Sequence, residues 1–266
     1  MKTLQIKRNT LVKLVTLAIL ANLGLQGCAF FAASYKPEPM VLELAEELMA
    51  ESRLEQARKL YSILPQPTQA LANQGLSTNQ ALSPSGQREA IIFYPGGKVR
   101  PLAYLPLWEG VARAGYTVFV PIMPLDLAVF GVAAAARIRV DHPEFEVWHL
   151  AGHSLGGAMA AEHLKKGTRG FRSLILLGSY SASDLFAIDL ATLSIKEERG
   201  LERGLEKAEA SRDKLPAGAI FKVMPGANHA QFGRYGIQKG DGRALLSPEA
   251  QTALTTLWVL EFLRGL

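Results

Sequence analysis

Val147-Trp148-His149-Leu150-Ala151-Gly152-His153-Ser154-Leu155-Gly156-Gly157-Ala158-Met159-Ala160-Ala161 is the stretch on which the reading of this chain turns. Val147–Ala151 is a short, nearly continuous apolar run, as in a strand buried on both faces. A turn of small residues follows, and Leu155–Lys166 has helical spacing. Between the two lies Gly152-His153-Ser154-Leu155-Gly156, a G-x-S-x-G pentapeptide in the strand-turn-helix context that lifts a serine onto a sharp, strained turn. Such a turn tolerates only small neighbours, and Gly152, Gly156 and Gly157 supply them. Ser154 is the candidate nucleophile. The helix opening at Leu155 points its free N–H groups and positive dipole end at whatever reacts there.

The same texture extends outward. Apolar runs near Ala90–Tyr94, Thr117–Pro121, Ser173–Gly178, Thr192–Ile195 and Ile220–Met224 read as strands. Helical patterns near Leu102–Ala114, Val132–Val140, Leu201–Lys214 and Pro248–Leu263 separate or follow them. This predicts an α/β fold with a mostly parallel central sheet of about six strands covered by helices, with the chemistry at the carboxyl ends of the strands.

A serine needs a neighbouring imidazole to take its proton. Of the five histidines, His142 precedes Pro143 in a polar loop, His149 lies within a strand, His153 within the turn and His163 on the following helix. His229 comes after the last strand, through Pro225-Gly226-Ala227-Asn228, and is the candidate base. The loop Tyr94-Pro95-Gly96-Gly97-Lys98 lets main-chain N–H groups approach a substrate oxygen. The expected oxyanion donors are the amides of Leu155 and Gly97. A phosphate-loop reading of Gly-Gly-Lys fails, because Ile92 replaces the first glycine and Val99 the hydroxyl residue. The sequence has no H-E-x-x-H and no cysteine pair, so no metal and no cofactor is expected.

The beginning of the chain has a different character. Lys2, Lys7 and Arg8 precede an apolar run centred on Leu14–Leu23, short for a spanning helix, which ends at Leu25-Gln26-Gly27-Cys28. That ending resembles a bacterial lipoprotein box, and Cys28 is the only cysteine. Residues 1–27 therefore read as an export signal and Cys28 as the lipidated mature N-terminus, held at a membrane surface of the cell envelope. Ala29 after the cysteine implies, by resemblance to Gram-negative lipoproteins, outer-membrane sorting. Without residues 1–27 the net charge falls from +5 to +1, which gives no electrostatic case for nucleic acid. Residues 28–88 are expected to hold a helix over Val41–Leu64 and a polar linker over 65–88, ahead of a catalytic body at 89–266.

Four ordered motifs carry a resemblance. They are Phe93-Tyr94-Pro95-Gly96-Gly97-Lys98-Val99, Met123-Pro124-Leu125-Asp126-Leu127-Ala128-Val129-Phe130, Gly152-His153-Ser154-Leu155-Gly156-Gly157, and Asn228-His229-Ala230-Gln231-Phe232-Gly233 with Tyr235-Gly236 and Gly240-Asp241-Gly242. Over about residues 90 to 264 the chain resembles the bacterial α/β hydrolases of fold family 5. The resemblance implies the α/β-hydrolase fold and a Ser–acid–His esterase-like enzyme acting on a small ester-like substrate. In such proteins an Asp in the loop after the penultimate strand orients the base; here Arg199 falls at that place. Glu198 is the first replacement candidate and Glu197 the second, with Asp184, Asp189 and Asp241 behind them. Leu125, Leu127 and Phe130 are candidates for an acyl pocket. The alternative is a non-catalytic lipoprotein using the same fold as a binding scaffold.

Overall fold

The computed structural model describes residues 33–66, 83–201 and 204–266. The expected export signal, Cys28 and most of the expected 65–88 linker lie outside the described residues. Every internal apolar run becomes a strand: β3 (Glu89–Tyr94), β4 (Thr117–Pro121), β5 (Val147–His153), β6 (Phe171–Leu177), β7 (Ala191–Glu197) and β8 (Ile220–Met224). Along β3, β4 and β5 every residue is buried, as continuous apolar runs require, whereas β8, an edge strand, is largely open.

The sheet has two strands more than expected. β1 (Leu54–Ala57) and β2 (Leu60–Ile63) form an antiparallel hairpin that lies against β4, giving the order β1-β2-β4-β3-β5-β6-β7-β8. All pairs from β4 to β8 are parallel. This is an α/β-hydrolase architecture.

The single helix expected over Val41–Leu64 is therefore corrected. Helix α1 covers only Pro39–Ala50, burying Val41, Ala45 and Leu48. Ser52 and Arg58 then adopt positive φ, and Arg53, 1% exposed, pairs with Glu109 at 3.0 Å. The apolar residues from Leu54 to Leu64 suit either period, and pairing with the open edge of β4 decides for the strand. Tyr35–Leu266 forms one compact unit, so the boundary drawn at residue 89 passes through one sheet.

Helix α2 (Leu105–Ala112) packs with α1 and with α6 (Pro248–Arg264) over one face, where Phe93, Tyr104 and Trp108 centre the core. Helix α4 (Leu155–Lys165) packs on β5, β3 and β6, while α3 (Ala134–Asp141) and α5 (Gly204–Ala210) complete the layers. The carboxyl ends of β3, β5, β7 and β8 thus converge, bringing together the loops at Gly96, Ser154, Glu197 and His229.

Candidate active site

Ser154 stands between β5 and α4 with φ 50° and ψ −122°, a region that a residue with a Cβ enters only when its surroundings force it there. The contacts that hold it there are made by its own main chain. The Ser154 N–H donates to the Leu177 carbonyl at 3.0 Å, and its own carbonyl accepts from Ala158 N–H and from the Ser179 hydroxyl at 2.7 Å. A methyl group on Gly152 would stand 2.5 Å from the Gly156 and Gly157 backbone, and one on Gly156 would strike the Tyr94 carbonyl. The residue types at 152 and 156 are thus set by contact, as expected. Ser154 is partly exposed.

His229 lies on the loop after β8, 3% exposed, with Nδ1 2.8 Å from Glu197 Oε1. Its Nε2 has no hydrogen-bond partner among the described residues. The ring presses on Gly178, just after the strand end that holds Ser154: a methyl there would be 2.9 Å from Nδ1. It also tilts over the His153 ring, with centroids 4.5 Å apart. The ring thus packs against His153, the neighbour of Ser154, and against Gly178, the neighbour of the Leu177 whose carbonyl holds Ser154.

The acid is not the first candidate. β7 continues two residues beyond the expected Ile195, so Glu197 is its last residue and reaches His229. Side chains alternate along a strand, so the next one diverges. The Glu198 carboxylate instead accepts the Gly226 N–H at 2.7 Å, bracing the loop that leads to His229. Glu198 gives way to Glu197 as the partner of the imidazole. Burial pulls the Glu197 carboxyl upward, but the charge of Lys196 next to it and the pairing with His229 outweigh this and hold it below the usual glutamate range. Arg199, at the family's aspartate place, is exposed and donates to the Arg243 carbonyl.

Asp241, a fallback acid, bonds main chain instead. Its carboxylate accepts N–H groups from His229 at 3.1 Å, Ala230 at 2.7 Å and Gly242 at 2.9 Å. Gln251 closes the same loop from α6, exchanging two hydrogen bonds with the main chain of Asn228. The Gly-Asp-Gly motif contained this carboxylate but gave no sign of its contacts.

Of the two expected oxyanion donors, Leu155 opens α4, where an N–H lacks an intrahelical partner. Gly97 lies over it, a methyl on Gly97 reaching within 3.1 Å of Leu155 Cδ2. Leu127 is buried under this loop, while Leu125 and Phe130 are exposed on the turns after β4, joined to the loop by the Lys98 N–H to Asp126 carbonyl bond at 2.7 Å.

Residue types alone do not make such a site. Ser173, His149 and Glu89 form a second Ser–His–Glu chain, at 2.8 and 2.9 Å, near the amino ends of the strands. Ser173 and His149 are 0% exposed and Glu89 only 2%, so no substrate reaches them. A separate cleft of about 700 Å³ between the β1–β2 hairpin and α3 is lined by none of Ser154, His229 or Glu197.

The profile of the alpha/beta hydrolase family matches residues 90–253, more than half of the chain. The chain belongs to the alpha/beta hydrolase family. No curated protein matches it. Among solved structures, this hydrolase is similar to dienelactone hydrolase from Anabaena variabilis (14% identity, TM-score 0.56, covering 80% of this chain and 98% of that one). It is also similar to a ferulic acid esterase from Streptomyces cinnamoneus (18%, 0.54, 80% and 88%) and a carboxylesterase from Bacillus subtilis (12%, 0.52, 85% and 98%). At these identities the likeness is one of fold.

Proposed function

We propose that this hydrolase cleaves a carboxylic ester of a small molecule through Ser154, His229 and Glu197. The observation that carries the reading is the buried Glu197–His229 pair, packed against His153 beside the strained Ser154 turn, with Nε2 left without a hydrogen-bond partner among the described residues. Ser154 Oγ attacks the ester carbonyl while His229 Nε2 takes its proton, and Glu197 stabilises the imidazolium through Nδ1–H. The oxyanion is held by the N–H groups of Leu155 and Gly97. The imidazolium then gives its proton to the departing alkoxide, leaving an acyl group on Ser154. Water, deprotonated by His229, attacks this acyl-enzyme and releases the acid. Leu125 and Phe130, exposed beside the oxyanion loop, suit an apolar acyl or alcohol group.

The test is fluorophosphonate labelling of the full chain in mild detergent, read by intact mass. Wild type gains one adduct; Ser154→Ala gains none, and His229→Ala is slowed by at least about 100-fold. A folded wild-type chain that takes no label supports the binding-scaffold alternative.

The proposal extends to an envelope lipoprotein anchored through Cys28, supported by the Leu25-Gln26-Gly27-Cys28 ending and the absence of any second cysteine. Labelled palmitate incorporated by wild type and lost in Cys28→Ala is the expected result. Equal labelling of both removes the anchor.

A further inference from the structure

His153 and Tyr104 stand outside the mechanism above, yet both are completely buried beneath it. Tyr104 belongs to the short 3-10 turn Pro101–Tyr104 that follows the oxyanion loop. Its hydroxyl accepts the N–H of Gly96 at 3.0 Å and lies 2.8 Å from Nδ1 of His153.

A tyrosine hydroxyl has one proton to give. Its oxygen also has two lone pairs, so it receives the Gly96 N–H and pairs with His153 Nδ1 as donor or acceptor according to the tautomer of the ring. Burial, reinforced by the neighbouring His229 and Lys196, holds His153 well below the ordinary histidine range, and burial drives the Tyr104 phenol far above its own. Both groups stay neutral while His229 changes charge beside them.

The consequence falls on the oxyanion loop. Gly96 is held at both ends: its N–H by Tyr104, and its carbonyl by the N–H of Val99 at 3.2 Å. A trans peptide is planar, so the N–H of Gly97 points opposite to the Gly96 carbonyl. Fixing Gly96 therefore aims the Gly97 N–H. A methyl on Gly96 would stand 2.7 Å from His153 Nδ1 and 2.8 Å from the Tyr104 oxygen, so the main chain rests directly on the pair.

We propose that Tyr104 and His153 are positioning residues that preset the Gly97 N–H as an oxyanion donor. The idea rests on the esterase reading for its catalytic consequence, though not for its structural one. A preset donor favours the transition state over bound substrate. Tyr104→Phe should therefore lower kcat on a short-chain p-nitrophenyl ester by about 10- to 100-fold with KM changed less than about 3-fold, a fraction of the loss for removing a donor outright. His153→Leu should behave alike. His153→Asn, whose amide can pair with the Tyr104 hydroxyl as donor or acceptor, should recover most of the rate. Hydrogen exchange supplies a readout independent of activity: the Gly96 amide should exchange at least about 10-fold faster in Tyr104→Phe, with the β5 amides unchanged. Unaltered kcat in Tyr104→Phe, a rise confined to KM, or an equally protected Gly96 amide overturns the proposal. Failure of the esterase reading shows separately, as a wild-type chain that takes no fluorophosphonate.

Discussion

Glu197 and Glu198 are consecutive residues whose carboxylates go to different loops: Glu197 holds His229 Nδ1 at 2.8 Å, and Glu198 accepts the Gly226 N–H at 2.7 Å. One orients the imidazole and the other braces the chain that carries it. Glu197→Gln should lower kcat by about 10³- to 10⁴-fold, because a neutral partner neither stabilises the imidazolium nor enforces its tautomer. Glu198→Gln still offers an acceptor and should cost less than about 10-fold. Steady-state ester hydrolysis by both variants checks the assignment, and a reversed order refutes it.

Asp241 gathers three N–H groups from the loop that carries His229, so its removal leaves three donors to find new partners. Asp241→Ala should lower kcat by about 10- to 100-fold and stability by about 2 kcal/mol, and Asp241→Asn should fall between it and wild type. Activity assays beside urea melts separate the two effects.

Stability should depend on pH in two steps. Burial holds His149 and His153 below their ordinary value of 6.5, so both remain neutral in the fold while the unfolded chain takes up protons. Stability is then lost as pH falls below about 6.5, with a slope of up to about 1.4 kcal/mol per pH unit for each ring. Glu89 and Glu197 are held below 4.5, so their contribution is present above that value and lost as pH falls through their lower folded values. Urea midpoints by circular dichroism from pH 8 to 4 should be flat down to about 6.5 and then decline. His153→Asn should make the first decline shallower, and an identical slope would discount that ring.

Arg234 ties distant parts of the chain to the site, pairing with Glu38 and with Glu249, each at 2.7 Å, while its N–H donates to the Ala103 carbonyl. Its acidic partners are partly solvated, which discounts the pairs. Arg234→Met should cost about 1–2 kcal/mol, read as a fall of several degrees in Tm. An unchanged Tm would show that the hydrophobic contacts of α1 suffice alone.

What could be read from the sequence was what local chemistry determines. The turn around Ser154 is written in its glycines, and the place of His229 follows from strand order. Glu197 was within reach, one residue from the leading candidate. Choosing between neighbours on a strand requires the last residue of β7 to be known, and strand ends depend on pairing with β8 rather than on residue type. The β1–β2 hairpin was hidden for a related reason: its apolar residues fit a helix until the free edge of β4 is available to them. Asp241, Tyr104 and His153 act on main-chain groups distant in sequence or on one another, and no spacing rule encodes those contacts.

The backbone at residue 154 bears on what kind of protein this is. Holding a side chain in that conformation costs on the order of 1–3 kcal/mol, and glycine would bear it with less strain. Ser154→Gly should therefore give a chain at least as stable as this one, with the same sheet and the same loops. A chain whose only business was to keep this shape would be better served by glycine, so the proposed nucleophile would set stability against reactivity in a single residue.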